Sequence, residues 1–385
     1  MSEEKNVPKL RFPGFTEPWE QRKFGDIFSR RMERNLGQFD NTRWISVARM
    51  YFQNPDKVTS NNIDTRTYVM HEGDIAFEGH PNQEYRYGRF VANDIGDGVI
   101  SELFPIYQHI TAYDNNYWKY AIQIEAIMAP KLLRCIEISY TSSNKLDEKF
   151  FLEESIMVPT IKEQQKIGTF FKSLDRLITL HQRKLGHVKD LKKSMLQKMF
   201  PKNGELYPEV RFPGFTAAWE QRKFGELLSE KRDKTVIEDE DTLLSCAIEG
   251  MYLNTELFSH FRGASNIGYL KIKKNDLILS AQNLHLGNCN VNLRFEHGII
   301  SPAYKVYELV DTDPLFMQAW VKKDSTKDFF LKASTEGASV CRKNIVWDEL
   351  YKQELSVPDI IEQRRIGTYF NTIDHLITLH QRESE

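Results

Sequence analysis

Two stretches of the chain carry apolar residues at alternating steps of four and three, the spacing of a helix that packs along a second helix. The positions in the first stretch are Ile167, Phe171, Leu174, Ile178, His181, Leu185 and Val188. Those in the second are Ile366, Phe370, Ile373, Ile377 and His380. We predict two long helices that pair as an antiparallel coiled coil, with His181 beside His380 rather than on a metal.

Each predicted helix begins with a capping signal. Thr160 precedes Glu163 by three residues, and Asp359 precedes Glu362 by the same distance. A side-chain oxygen at the first position can accept from the free N–H groups of the first turn, and a Glu three residues later can reach back. The two sequences therefore predict two helix starts with the same chemistry.

Between the helices, short β-branched and aromatic runs are bounded by Gly, Asn and Asp, which is typical of strands joined by turns. "GVISELFPIY" at Gly98 corresponds to "GIISPAYKVY" at Gly298, and "GDIAF" at Gly73 corresponds to "NDLIL" at Asn275. We predict a mixed α/β domain in each half of the chain, and an α+β fold overall.

An internal duplication organises the whole chain. "RFPGFTEPWEQRKFG" at Arg11 and "RFPGFTAAWEQRKFG" at Arg211 share thirteen of fifteen residues, and the helical blocks at Val158 and Val357 share seventeen of twenty-six. The aromatic residues of the first block are expected to pack against the helices. The duplication predicts a pseudo-twofold repeat of four segments: a domain at 1–157, a helical region at 158–205, a domain at 206–356 and a shortened helical region at 357–385.

The two domains differ most in their polar loops, which carry the candidate nucleic-acid contacts. Asn and Gln can bond both edge atoms of adenine, and Arg can bond both acceptors of guanine. The candidates in the first domain are His80, Asn82, Gln83, Tyr85, Arg86 and Arg89, with Ser142, Ser143, Asn144 and Lys145 before the helical region. The candidates in the second are Gln282, Asn283, His285, Asn288, Asn290 and Arg294, with Arg342, Lys343 and Asn344. The alternative is that these loops are solvated turns without a ligand.

Charge is concentrated in the first helical region. Residues 160–200 hold ten Lys or Arg and three Asp or Glu, a formal charge of +7, although the whole chain has a net charge of -2. The basic side chains can face DNA phosphates, an acidic partner surface or solvent, and the sequence leaves all three open.

Other features narrow the class of protein. The four cysteines (Cys135, Cys246, Cys289 and Cys341) form no CxxC pair, which predicts packing residues in a reducing compartment. No apolar signal core or membrane span is evident, so we expect a cytoplasmic protein. No phosphate-binding loop, HExxH, nucleophile elbow or amino-methylation motif occurs, so we expect no enzymatic activity in this chain.

The doubled order of these motifs resembles one known family. Variable domains alternate with helical blocks that open with "VP" and a Glu-Gln pair, Glu163-Gln164 and Glu362-Gln363, and each unit is headed by "FPGF" and a Trp. This arrangement resembles the specificity subunit of type I restriction-modification systems. The resemblance covers the chain from Arg11 to Glu385.

The resemblance implies a non-catalytic DNA-binding subunit. It implies that two target recognition domains each bind one half of a bipartite double-stranded DNA site, while the helices set the spacer. Implied partners are two modification subunits, which use S-adenosylmethionine, and restriction subunits, which use ATP and Mg; this chain itself is expected to bind no cofactor. The alternative is a duplicated two-headed adaptor that binds proteins, which would expose apolar anchors in the loops.

Overall fold

The structure is a computed structural model that describes residues 7–58, 62–139, 143–202, 204–258, 265–335 and 343–382. It forms two compact units, Met1–Ile178 and Thr179–Glu385. Within the described residues, no helix is long and apolar enough to cross a membrane. The sequence predicts four segments with other boundaries, and that division stays a prediction.

The first unit consists of short strands and helices that lead into one long helix. Its strands are β1 (Glu20–Lys23), β2 (Phe28–Arg31), β3 (Ile45–Ser46), β4 (Tyr51–Phe52), β5 (Thr67–Met70), β6 (Ile75–Glu78), β7 (Arg89–Ala92), β8 (Gly98–Ser101), β9 (Ile106–His109), β10 (Ile136–Glu137), β11 (Lys145–Leu146) and β12 (Ser155–Val158). Its helices are α1 (Asn115–Ala121), α2 (Glu125–Cys135), α3 (Glu148–Glu153) and the first part of α4 (Ile161–Lys198).

The second unit contains the rest of α4 and repeats most of this order; it adds a short α-helix after its fourth strand, and its described residues form no strand pair equivalent to β10 and β11. Its strands are β13 (Glu220–Lys223), β14 (Leu228–Lys231), β15 (Leu244–Cys246), β16 (Met251–Leu253), β17 (Leu270–Lys273), β18 (Leu277–Ser280), β19 (Cys289–Val291), β20 (His297–Ile300), β21 (Tyr304–Leu309) and β22 (Glu354–Val357). Its helices are α5 (Asn254–Leu257), α6 (Pro314–Val321), α7 (Asp324–Lys332), α8 (Trp347–Lys352) and α9 (Ile360–Arg382).

Both units are built on a four-stranded antiparallel sheet with the same strand order. The order is β2-β9-β6-β7 in the first unit and β14-β21-β18-β19 in the second. A central strand is buried on both faces: Ile75 and Phe77 of β6 lie in one apolar cluster, and Ala76 lies in another. Because successive strand residues point to opposite faces, one short strand contributes to two cores.

A small two-stranded sheet closes each unit next to its long helix. β1 pairs with β12, and β13 pairs with β22, both antiparallel and in matching register. The first strand has the sequence Glu-Gln-Arg-Lys in both units. The repeated sequence block therefore forms the same structure twice and returns the chain to the point where it enters the helix.

The capping prediction is confirmed at Asp359 of the second long helix, whereas at Thr160 the N–H groups of Glu163 and Gln164 bond to the backbone carbonyl. The predicted bond from the Glu side chain back to the helix start is wrong in both helices. Asp359 Oδ1 accepts the N–H groups of Ile361 and Glu362 at 2.9 Å, as a cap does. The Glu362 carboxylate does not reach back; it accepts two bonds from the Arg211 guanidinium, each 2.7 Å long. Glu163 accepts the same two bonds from Arg11, also at 2.7 Å. The Glu side chain thus fastens the duplicated amino-terminal block to the helix.

The neighbouring Gln completes this junction. Gln363 accepts the N–H of Asp313 at 2.9 Å and donates to the carbonyl of Pro358 at 2.9 Å. Gln164 makes the corresponding bonds to Asp114 and Pro159, at 3.2 and 3.1 Å. The Glu-Gln pair in both helices is therefore structural, since it joins the helix to the domain.

The predicted packing of aromatic residues from the first block on the helices is confirmed. Phe12 meets Phe170 edge-on, with ring centroids 5.5 Å apart, and Phe212 meets Tyr369 in the same way at 5.9 Å. Trp219 is 2% exposed and packs on Phe316. These contacts place aromatic side chains of each block against its unit, while the Pro-Gly turn between them stays exposed.

Within the second unit, the carboxyl-terminal part of α4 packs along α9. His181 lies beside His380, with ring centroids 6.2 Å apart, and further along Phe200 stacks on Phe370 at 6.1 Å. Between these contacts, Lys192 forms an ion pair with Asp374. Residue numbers rise along α4 as they fall along α9, so the antiparallel pairing is confirmed. In the first unit, by contrast, the predicted seam residues Phe171 and Leu174 are 40% and 37% exposed.

The first unit packs a histidine against its core that its repeat lacks. His109 stacks on Tyr113 at 3.8 Å, and neither of its buried ring nitrogens has a hydrogen-bond partner among the described residues. Burial lowers the pKa of His109 to about 3. At the same register of the second unit, Leu309 faces Leu228, whereas His109 faces Phe28.

His109 is expected to make the first unit sensitive to acid. Its pKa in the folded chain lies below the 6.5 of an unfolded histidine, so its contribution to stability is present above pH 6.5 and is lost towards pH 3. Between pH 6.5 and 5 the loss should reach about 2 kcal/mol. We expect His109→Leu to remove this loss in thermal unfolding at pH 7 and pH 5. His187→Leu, which changes an exposed histidine, should leave it intact.

Candidate nucleic-acid interface

In the first unit, two of the segments predicted to contact DNA lie side by side. The loop between β6 and β7 carries His80, and the segment before β11 carries Ser143. The Ser143 hydroxyl lies 2.8 Å from His80 Nε2, and the N–H of Asn144 donates to the carbonyl of Gly79 at 2.9 Å. The structure thereby joins residues more than sixty positions apart into one polar surface.

Some of the predicted DNA-contact residues in this loop stabilise its conformation, and others are exposed to solvent. Asn82 Oδ1 accepts the N–H groups of Glu84 and Tyr85 at 2.9 Å, which closes the turn. Arg89 lies over the Tyr85 ring at 4.7 Å and donates to the carbonyl of Ala48. Two candidates are buried, Tyr85 at 7% and Asn144 at 5% exposure. The exposed candidates are His80, Asn82, Gln83, Arg86 and Lys145; Ser142 lies outside the described residues.

The buried carboxylate of Glu78 positions two basic side chains of this loop. Glu78 is 5% exposed; its Oε1 lies 2.9 Å from His80 Nδ1, and its Oε2 lies 3.6 Å from Arg89 Nε. A buried carboxylate needs such partners, because an unpaired charge is costly away from water. Glu78 therefore holds His80 and Arg89 in defined positions at the edge of the sheet.

The second unit brings its two candidate segments together by a similar backbone contact. The N–H of Lys343 donates to the carbonyl of Gln282 at 3.2 Å, joining the loop between β18 and β19 to the segment before α8. Gln282 and Asn344 are exposed, and Lys343, Asn283 and Asn288 are half-buried. Arg342 lies outside the described residues. Both units thus place one loop and one later segment on a shared surface with different side chains.

Three of the predicted DNA-contact residues in the second unit are buried or already paired with another side chain. Asn290 is fully buried, and its Nδ2 donates to the carbonyl of Ala247 at 2.6 Å, so we place it in the interior rather than on a contact surface. Arg294 forms two bonds with the Glu256 carboxylate, at 2.7 and 3.0 Å. His285 is 9% exposed, and its burial, helped by the charge of Lys343, lowers its pKa. Arg294 would have to exchange its carboxylate for a base or phosphate.

A third segment, which the sequence patterns did not indicate, joins this surface in each unit. The turn between β3 and β4 contacts the first loop through the bond from Arg89 to Ala48, and it exposes Arg49. The turn between β15 and β16 is held by Asn290 at Ala247 and by Tyr304, whose hydroxyl donates to the carbonyl of Cys246 at 2.9 Å. The strands are two or three residues long, too short for an alternating pattern. The sequence signal that could have revealed these turns is the duplication, because the two turns lie at equivalent positions about 200 residues apart.

Neither a metal site nor an exposed cysteine is found on this surface among the described residues. Among them, no group of three or more His, Cys, Asp or Glu side chains is placed to hold a metal ion. Cys135, Cys246 and Cys289 are free and buried, and burial raises their pKa values to about 11, 11 and 12. Those three are packing residues, as predicted; Cys341 lies outside the described residues.

Comparison with known proteins agrees with this architecture. Residues 16–190 match the family described as "Type I restriction modification DNA specificity domain". No match was found among curated proteins. The HsdS subunit from Thermoanaerobacter tengcongensis has a similar fold over 99% of this chain and 94% of its own, with a TM-score of 0.50 and 14% identity. The type I restriction-modification S subunit from M. genitalium covers 98% and 95%, with a TM-score of 0.53 and 12% identity. These two likenesses confirm the predicted fold class.

Proposed function

We propose that the chain is the DNA-recognition subunit of a type I restriction-modification complex, because residues 16–190 match the type I restriction modification DNA specificity domain. Each unit binds one half of a bipartite double-stranded site. The long helices set the spacer and dock two modification subunits, with which restriction subunits assemble. S-adenosylmethionine, ATP and Mg belong to those partners, and this chain contributes no catalytic group.

One observation carries this proposal: the two units present different side chains on the same frame. The strand order is identical, and in each unit the loop after the central strand (β6 or β18) meets the segment before the last short helix (α3 or α8) through a backbone bond. The first unit exposes His80, Gln83 and Arg86 there, whereas the second exposes Gln282 and Asn344. Hydrogen-bonding side chains of this kind suit base edges in a major groove. Two different surfaces on one frame suit two different half-sites.

The helices have a suitable length for a spacer. The 23 residues of α9 span about 35 Å at 1.5 Å per residue. Half-sites that face the same side of DNA one helical turn apart are roughly 34 to 36 Å distant. The formal charge of +7 on residues 160–200 would also be attracted to phosphates or to an acidic partner.

The direct test is to map adenine methylation across the genome of cells that carry this gene and its modification partner. The comparison is with cells from which only this gene is deleted. We expect one split sequence to lose its methylation on deletion and to regain it when the gene is restored. Unchanged methylation, with both partners expressed, would refute the proposal and favour the protein-binding adaptor.

Lengthening the helices should lengthen the spacer. Seven residues inserted into both α4 and α9, at positions that face each other, add about 10 Å while preserving the apolar seam. We expect the unread spacer to grow by about three base pairs, because base pairs rise by about 3.4 Å. Methylation mapping checks this. A two-residue insertion turns the seam by about 200° around the helix axis, away from its partner, and should abolish methylation. An unchanged spacer after the seven-residue insertion would disprove the spacer role.

A further inference from the structure

We infer that one turn in each unit reads a base pair of its half-site, through Arg49 in the first unit and Glu249 in the second. These turns, residues 47–50 and 247–250, join β3 to β4 and β15 to β16. Each has four residues between the paired ends of its strands, and Arg49 and Glu249 occupy the same third position. The inference rests on the proposed function, because it names base contacts of the same surface.

The turn lies at the sheet edge where the predicted DNA loop begins. In the first unit, Arg89 is paired with the last residue of β6, and its guanidinium donates to the carbonyl of Ala48 in the turn. In the second unit, Tyr304 is paired with the last residue of β18, and its hydroxyl donates to the carbonyl of Cys246 at 2.9 Å. Each turn therefore lies beside the loop that follows that strand.

Side chains that bond to its backbone hold the second turn in place. Besides the tyrosine bond, Asn290 Nδ2 donates to the carbonyl of Ala247 at 2.6 Å. Lys322 Nζ donates to the carbonyl of Ile248 at 2.7 Å and to that of Cys289 in β19 at 3.0 Å. Three successive carbonyls are thus fixed. The residue that follows them is presented in a defined position, so little conformational entropy is lost when it binds.

The first turn is held at one of the same carbonyls by a different basic side chain. Ala48 and Ile248 are both the second residue of their turns. The bond to Ala48 comes from Arg89 in β7, whereas the bond to Ile248 comes from Lys322, which follows α6. The two units reach the same contact through unrelated residues, which indicates that the position of the turn is itself required.

The exposed side chains of the two turns carry opposite charges. Neither Arg49 nor Glu249 forms an ion pair among the described residues, whereas Arg89 and Arg294 on the same surfaces are held by carboxylates. An arginine can donate to both acceptors of guanine, and a glutamate can accept from the amino group of cytosine. Glu249 does not suit a phosphate, because like charges repel. The first unit therefore reads a G·C pair at this position, and the second reads a C·G pair.

The test maps adenine methylation in cells that carry the modification partner with the unchanged chain, Glu249→Arg or Arg49→Glu. We expect Glu249→Arg to replace a C·G pair by a G·C pair at one position of one half-site, and Arg49→Glu to make the opposite change in the other half-site. With the purified modification complex, methylation rates on duplexes that differ only at that position should shift in preference by at least about fivefold. Glu308→Arg is the matched control, since Glu308 is exposed near the opposite end of β21; both half-sites should stay unchanged.

A second variant covers the case in which a charge reversal unfolds the chain, which circular dichroism detects. Glu249→Gln has nearly the same size and should prefer an A·T pair at the same position, because Gln can bond both edge atoms of adenine.

The outcomes separate this inference from the proposed function. If the unchanged chain directs no split-site methylation, both are refuted. If it does, but the folded variants keep both half-sites, the turns do not read bases and only the inference is overturned. A folded variant that loses methylation of all duplexes in equal measure would assign its turn to backbone contacts, which would also overturn the inference.

Discussion

A chain in which residues 231–351 are replaced by residues 31–151 is expected to direct methylation to a site whose two halves are the same. Both halves should be the one recognised by the first unit, and the half recognised by the second unit should disappear. This is the largest functional effect that the duplication predicts, because every base contact of one unit is exchanged at once.

The repeated blocks explain why such a chimera should fold. The first junction lies at the last residue of β2 and β14, and the second lies within α3 and α8. Outside both junctions, β1 and β13 have the same sequence and pair with β12 and β22 in the same register. The interior sheet has the same strand order. The exchanged segment therefore meets the same elements of secondary structure at its two ends.

Methylation mapping with the modification partner measures this result, and the reciprocal chimera, with residues 231–351 in both places, is the matched control. Each wrong base pair costs about 1–3 kcal/mol of binding, so several of them together should abolish methylation of the original site. Retention of the original sequence by the chimera would show that the exchanged segments do not determine the half-sites. Loss of all methylation by a folded chimera would show that the units are not independent.

Arg211→Ala is expected to lower the free energy of unfolding by about 3 kcal/mol, because it leaves a buried carboxylate without its partner. The Glu362 side chain is fully buried, and Arg211, which is 14% exposed, donates two bonds to it at 2.7 Å. Urea or thermal unfolding of the second unit measures the loss. Lys352→Ala, which removes an exposed ion pair with Glu349, should have no measurable effect.

A double variant identifies the source of that loss. Arg211→Met with Glu362→Leu removes both charges together and should recover a large part of the stability, since two apolar side chains of similar size need no ionic partner. If the double variant were as unstable as Arg211→Ala, the cost would come from lost packing of the amino-terminal block and not from the unpaired carboxylate.

The sequence alone determined the features that follow from local periodicity and from the duplication. The helix seam, the cap at Asp359, the pairing of His181 with His380 and the mixed α/β character of both units were all predictable. Helix periodicity and capping depend on residues a few positions apart, so the linear pattern contains them. The repeat then extended each prediction to the second half of the chain.

Tertiary structure alone decided which polar residues face solvent and what they contact. Asn290 is an Asn in a polar stretch, yet it lies in the core, because the turn after β15 supplies its hydrogen-bond acceptor from more than forty residues away. Glu163 pairs with Arg11, 152 residues apart, where the local pattern predicted a bond within one helical turn. Long-range packing, which determines burial and partners, is not encoded in any short window of sequence.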